Sequence, residues 1–128
     1  MPRLPRHPAI WFSALALWVG LLWLLSSSSG GGPPLPVANL DKLAHFSYFL
    51  GGGILFAGCH LSLQPDRPEW PNILASAIIA VALTGWLDEW HQCFTPGRSG
   101  ADPWDWLADV LGGTTGALAL KSLHRKLK

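Results

Sequence analysis

Charge is scarce in this sequence. Asp, Glu, Lys and Arg make up 13% of its 128 residues, about half the share of roughly 25% usual in soluble domains. A wholly aqueous surface is thereby excluded. Hydrophobic residues reach 49% and the mean hydropathy is +0.27. The net formal charge of +1 gives no reason to expect a nucleic-acid partner, and the distribution of charge says more than its sum. Cysteine is scarce too. Cys59 and Cys93 fall at opposite ends of the spans assigned below, too far apart for a disulfide. There is no CxxC and no Cys/His zinc spacing, so neither cysteine is given a role. Tryptophan, by contrast, is abundant at 8 residues, as suits a protein that needs indole anchors where hydrocarbon meets headgroups.

The first apolar run, Ala9 to Leu25, follows Arg3, Arg6 and His7 and contains no charge. At 1.5 Å per residue it extends about 25 Å, near the lower limit for crossing a bilayer. A cleaved signal peptide is the competing reading, but the run is long for a signal core and lacks a clean small-x-small site. An uncleaved helix is favoured. A Ser/Gly/Pro stretch from Ser26 to Pro36 reads as a flexible connector. The second run, Leu43 to Leu63, is apolar apart from His45, Tyr48 and His60, and carries Gly51, Gly52 and Gly53. Glycine is tolerated in membrane helices, where it lets a neighbour approach. Pro65, Pro68 and Pro71 then break the chain. A third run covers Asn72 to Trp90. A fourth, Trp104 to Leu120, is marginal by hydropathy because it carries Asp105 and Asp109. It spans only if those aspartates face other helices. Pro103 suits its first turn, and Gly112 and Gly116 form a GxxxG pair.

These runs predict an all-α membrane bundle of about four transmembrane helices. Four spans put both termini on one side. That side receives Arg3, Arg6, Arg67, Lys121, Arg125, Lys126 and Lys128, and the other only Lys42 and Arg98. The bias places the N and C termini in the cytoplasm. Residues 1–37 then form an N-terminal helix and connector, 38–120 a membrane domain, and 121–128 a basic cytoplasmic tail. The expected location is the bacterial cytoplasmic (inner) membrane, crossed several times. Asp41, Asp88, Glu89, Asp102, Asp105 and Asp109 all fall toward the outer side.

Asp41, His45 and Tyr48 lie within roughly 60° of one another on one helical face at about 100° per residue. Asp88 and Gln92 are four apart on the third helix, with Glu89 beside them. Asp105 and Asp109 share a stripe on the fourth, and the loop between contributes Arg98. A charge at mid-bilayer costs about 2.5–3.5 kcal/mol on insertion scales, and clustered carboxylates also repel one another. Compensation is therefore expected from Arg98, from protonated His45 or His91, from shared protons, or from a bound cation. Simpler roles compete. Asp41 and Asp102 suit helix caps, Tyr48 suits packing with a polar tip, and His91 suits a solvated interface. Cys59, His60 and Cys93 look incidental. An Arg–Asp network closing the bundle is the plainest structural account of Asp88, Arg98, Asp105 and Asp109.

In order, the chain reads D-K-x-x-H-F-x-Y from Asp41, Lys42, His45, Phe46 and Tyr48. It continues with Asp88, Glu89, Gln92, Pro96, Gly97, Arg98 and Ser99. Asp105, Asp109, Gly112, Gly113 and Gly116 complete the pattern. The set resembles the VanZ-like family over about residues 38–120. Asp109 departs from the asparagine that other members often carry there. The founding member accompanies glycopeptide-resistance genes and is linked to reduced teicoplanin susceptibility, without an established biochemical activity. Most relatives lie outside resistance clusters. The resemblance therefore implies a VanZ-like membrane domain and a link to the cell envelope.

Three functions are weighed. The first is a catalytic or ligand-binding site facing the outer leaflet, acting on a phosphate-bearing lipid, an envelope precursor or a related ligand. Its catalytic residues would be His45, Asp88 and Glu89, with His45 or Glu89 as general base. Asp41, Tyr48, Gln92, Arg98, Asp105 and Asp109 would bind ligand, Arg98 pairing bidentately with phosphate. Asp88, Asp105 and Asp109 would hold a divalent cation such as Mg²⁺, Ca²⁺ or Mn²⁺. The second is a non-catalytic envelope-interaction or antibiotic-tolerance protein that meets a lipoglycopeptide at the outer leaflet. The third is an ion or proton transporter, disfavoured because no polar path continues through Gly51–Gly58 or Ile73–Thr84.

Overall fold

A computed structural model describes residues 3–28 and 40–128. These form four α-helices: α1 (Pro8–Ser27), α2 (Leu40–Leu63), α3 (Trp70–Gln92) and α4 (Pro103–Lys126). There is no strand among the described residues. The protein is all-α, as its apolar runs predict. Prolines set three of the starts. Pro8, Pro71 and Pro103 occupy the first turns of α1, α3 and α4, where a missing N–H costs nothing. The α1 helix runs on through Ser26 and Ser27, so it takes the first two residues assigned to the connector. The rest of that connector, from residue 29, lies outside the described residues.

Three helices, α1, α2 and α3, are long and apolar enough to cross a membrane. The 24 residues of α4 would extend about 36 Å, and its burden of acids keeps it out of that set. Apolar side chains cover the outside. Leu17 is 76% exposed, Leu24 65% and Ile79 60%. So much bare hydrocarbon on a monomer marks a surface made for lipid.

Helix directions follow from end-to-end contacts. The C-terminal end of α1 meets that of α3 through Ser26 and Asp88. The N-terminal parts of α2 and α4 meet through His45 and Asp109. Neighbours in sequence are thus antiparallel. Arg6 pairs with Asp66 and Trp70 packs on His124, which brings both chain ends to one end of the bundle. The helices α2 and α3 lie between α1 and α4, which do not pack on each other.

Lipid is as apolar as leucine, so close packing rather than water exclusion must join these helices. The tightest seam is α2 on α4. A Cβ on Gly116 would collide with the Leu50 carbonyl, and one on Gly53 with the Gly113 backbone. On the other flank α1 drives indoles into α2: the Trp18 ring occupies the space a side chain at Gly52 would need, and Trp11 does the same at Gly58. Trp18 and Tyr48 then lock reciprocally. The Trp18 indole N–H donates to the Tyr48 carbonyl at 3.2 Å, and the Tyr48 hydroxyl donates to the Trp18 carbonyl at 2.7 Å.

Candidate functional site

The polar groups gather at the end of the bundle opposite the termini, in two separate clusters. In the larger one α2, α3, α4 and the loop before α4 converge. His45 reaches from the second turn of α2 to α4, its Nδ1 2.8 Å from Asp109 Oδ1. Its Nε2 stands 3.7 Å from Asp105 Oδ2. Asp109 is fully buried. Asp105 and Asp109 are one helical turn apart, so one imidazole can face both.

Lys42, three residues before His45, is the main cation of the cluster. Its Nζ lies 2.6 Å from Asp105 Oδ1, 2.8 Å from Asp41 Oδ2 and 3.0 Å from Asp102 Oδ2. Its apolar stem lets a residue at the helix start reach inward. Asp102 caps α4 by accepting from the Trp104 N–H at 2.9 Å. The hydrogen bond from Lys42 holds the Asp102 carboxyl below the ordinary carboxylate range.

Glu89 enters from α3 and is only 4% exposed. The loop wraps it: the Ala101 N–H donates to its backbone carbonyl at 3.3 Å, and the Asp102 N–H to Oε2 at 3.0 Å. Reaching it takes left-handed backbone at Gly100 (φ +54°) and at Ala101 (φ +51°). A Cβ at Gly100 would lie 2.5 Å from the Cys93 nitrogen, so the loop can sit there only with glycine. A non-glycine residue such as Ala101 in that region carries strain that its surroundings must hold.

His45, Glu89 and Asp109 each offer a donor atom within 4.8 Å of the others. Glu89 Oε1 and Asp109 Oδ2 are buried without a hydrogen-bond partner. Unpaired carboxylate oxygens are costly out of water. Gly85 makes room for one of them, since a Cβ there would lie 2.9 Å from Asp109 Oδ2.

The second cluster joins α3 to α1. Asp88, 7% exposed, accepts from the Ser26 hydroxyl and, at 2.8 Å, from the Gln92 amide. Thr95 closes the corner by donating to the Ser26 carbonyl at 3.0 Å. Asp88 and Glu89 are both buried but lie about 100° apart on the helix. One therefore faces α1 and the other faces α2 and α4.

The structure thus brings Asp41, His45, Glu89, Asp105 and Asp109 together, and sets four other expected residues apart. Asp88 does not join Asp105 and Asp109 around one point; His45 and Glu89 take its place beside Asp109, because Asp88 is turned to α1. Gln92 follows Asp88. Tyr48 points to Trp18. Arg98 is half-buried and, among the described residues, forms no ion pair. The compensation expected of it comes from Lys42. His91 packs at a tilt against Trp23 at the rim, ring centroids 3.8 Å apart and ring planes 52° apart. Ser26 and Thr95 were not expected at all. A serine in a Ser/Gly/Pro run carries the marks of a linker, and only its position four residues after Leu22 hints at an inward face.

Beside Glu89 a cavity of about 290 Å³ is lined chiefly by Trp86, Trp90, Pro103 and Trp106, with Asp102 at its edge. A cleft of about 300 Å³ at the opposite end lies among Arg3, Arg6, Asp66, His124 and Lys128, and Arg6 already pairs with its one acidic side chain, Asp66. Comparison with protein-family models, with curated proteins and with solved structures found no match for this chain.

Proposed function

We propose that this chain is a multi-pass protein of the bacterial cytoplasmic membrane whose outward end binds, and through His45 acts on, a component of the cell envelope. The observation that carries this reading is the buried His45–Asp109 pair inside the end of an apolar bundle. A carboxylate on Nδ1 fixes the imidazole's orientation and favours its protonated form once it takes a proton. That leaves Nε2, directed to Asp105, for exchange with a ligand.

The ligand class follows from the surroundings. The tryptophan-lined cavity next to Glu89 accepts hydrocarbon. Arg98, half-buried on the loop before α4 and without an ion pair among the described residues, supplies positive charge for phosphate. An amphiphile with a phosphate-bearing head, such as a lipid or an envelope precursor, fits both. The bias of basic residues to the chain-end side supports a cytoplasmic location for that side, and with it an outer-leaflet location for the polar site. The VanZ-like motifs carried by Asp41 to Gly116 point the same way and add an expected link to glycopeptide susceptibility.

A second reading keeps the lipid contact without chemistry: the protein occupies envelope precursors or meets lipoglycopeptides at the outer leaflet. The exposed rim of Trp86, Trp90 and Trp104, at 59%, 57% and 68%, favours it. A deletion strain complemented with His45→Ala or Asp109→Asn separates the two, with membrane levels checked and teicoplanin susceptibility and precursor pools measured. Loss of complementation at normal protein levels supports the acid–base site. Full complementation by both variants leaves only the non-catalytic reading.

A further inference from the structure

We propose that His45, Glu89 and Asp109 form a binding site for a single first-row divalent cation of the Mn²⁺ or Zn²⁺ type. The proposal rests on reading the outward cluster as a ligand-binding site, and it names what that site holds first.

Three independent features meet there. The three side chains come from three different helices, and their donor atoms lie within 4.8 Å of one another. Donors bonded to one ion at about 2.1 Å stand at most about 4.2 Å apart. Side-chain movement of an ångström or less therefore closes the set. Second, Glu89 Oε1 and Asp109 Oδ2 are buried, the residues being 4% and 0% exposed, yet have no partner. Their other oxygens are occupied, Glu89 Oε2 by the Asp102 N–H and Asp109 Oδ1 by His45. Each carboxylate thus leaves one oxygen to a cation. Glu89 is held from outside the set by the Asp102 N–H, an arrangement common at metal sites, and Asp109 by His45, itself a member of the set. Third, the carboxylates of Asp41, Glu89, Asp102, Asp105 and Asp109 outnumber Lys42 and His45, the cationic groups placed against them. Lys42 serves Asp41, Asp102 and Asp105, and His45 serves Asp109, which leaves Glu89 without an ion pair among the described residues.

The donor set chooses the ion. One imidazole with two carboxylates suits manganese, iron or zinc better than the all-oxygen preference of Mg²⁺ and Ca²⁺. Three protein donors leave at least one position for water or a phosphate oxygen of the ligand.

The full chain, purified in detergent and stripped with chelator, is titrated separately with MnCl₂, ZnCl₂ and MgCl₂. Bound metal per chain and the thermal midpoint are read for each. One Mn²⁺ or Zn²⁺ per chain is expected, with a raised midpoint, and Mg²⁺ at the same concentration gives neither. Glu89→Gln and Asp109→Asn should each weaken binding by roughly tenfold or more. Asp88→Asn, on the α1 side, should bind as the wild type does. Should Asp109→Asn fail to fold, Glu89→Gln carries the test, because its amide oxygen can still accept from Asp102. A folded wild-type protein that retains no ion overturns the proposal. So does equal binding by Glu89→Gln, or loss in Asp88→Asn as complete as in Glu89→Gln. Complementation measured in parallel separates this from the functional reading. Without an ion, failure of His45→Ala to complement overturns the metal and keeps the acid–base site. An ion lost in Glu89→Gln with full complementation by that variant and by His45→Ala keeps the metal site and overturns the function.

Discussion

Gly85 of α3 is backed directly onto the Asp109 carboxylate of α4, so that a Cβ at position 85 would lie 2.9 Å from Oδ2 and 3.1 Å from Asp109 Cβ. The absence of a side chain on one helix is what lets the buried acid of the other keep its bond to His45.

Gly85→Ala is therefore expected to displace Asp109 and disturb the site without removing any polar group. Alanine improves helix propensity by about 1 kcal/mol over glycine, while overpacking costs about 1–3 kcal/mol. The net change in stability should be small or modestly unfavourable. Function should fall much further than the melting temperature does. Gly85→Val adds bulk and should lower both. Thermal unfolding in detergent beside complementation checks this; a Gly85→Ala protein with unchanged function would show that Asp109 has room to spare.

The site's composition was legible in the sequence, and its partition was not. Asp105 and Asp109 at four-residue spacing, with His45 at the matching depth, follow from helical periodicity alone. Asp88 and Glu89 are neighbours at a helix end, and periodicity says only that they face about 100° apart. Which of them faces α1 depends on where α1 docks. That is set by Trp18 at Gly52 and Trp11 at Gly58, contacts between segments far apart in the chain. Lys42 was visible beside Asp41, but its reach to Asp105 depends on the α2–α4 crossing. The four helices themselves were clear because prolines and hydropathy mark their ends. The α4 helix needed the further premise that its aspartates are buried against neighbours, and Asp109 meets it.

The α1 helix should be retained in the mature protein. Its indoles fill glycine spaces on α2, and Ser26 donates to the buried Asp88. A leader removed during export would leave both sets of contacts empty. Intact mass of the membrane-extracted protein should include residues 8–28. A mature chain starting beyond Ser28 would refute the retained helix.

Lys42→Met should destabilise the end of the bundle opposite the chain termini. The substitution keeps the length of the stem and removes the cation shared by Asp41, Asp102 and Asp105. The lysine is 27% exposed, between the surface pairs worth about 0–1 kcal/mol and the buried ones whose disruption costs about 3–5 kcal/mol. A loss of about 1–3 kcal/mol is expected. Lys42→Arg should recover part of it. Double variants with Asp105→Asn should show less than additive loss, since neutralising Asp105 relieves the repulsion that Lys42 would otherwise offset. Full additivity would mean that the pair does not interact.

Ser26→Ala tests the second cluster on its own. It removes the α1 donor to Asp88, whose other oxygen keeps Gln92 at 2.8 Å. A buried carboxylate that loses one donor costs about 1–3 kcal/mol, and the loss should appear as release of α1 rather than collapse of the bundle. Reaction of the native buried Cys59, which lies in the same core cluster as Trp11 of α1, with a thiol reagent in a Cys93→Ser background would register that release. Pairing Ser26→Ala with Asp88→Leu and Gln92→Leu should recover part of the stability, because both the orphaned carboxylate and the Gln92 amide that donates to it are then absent. The His45–Asp109 pair packs on α3 at Gly85, on a neighbouring face of the helix from this latch, and makes no hydrogen bond to Ser26 or Asp88. Both variants should therefore leave His45-dependent complementation largely intact, and a Ser26→Ala protein that folds but loses it would mean that the two clusters act as one.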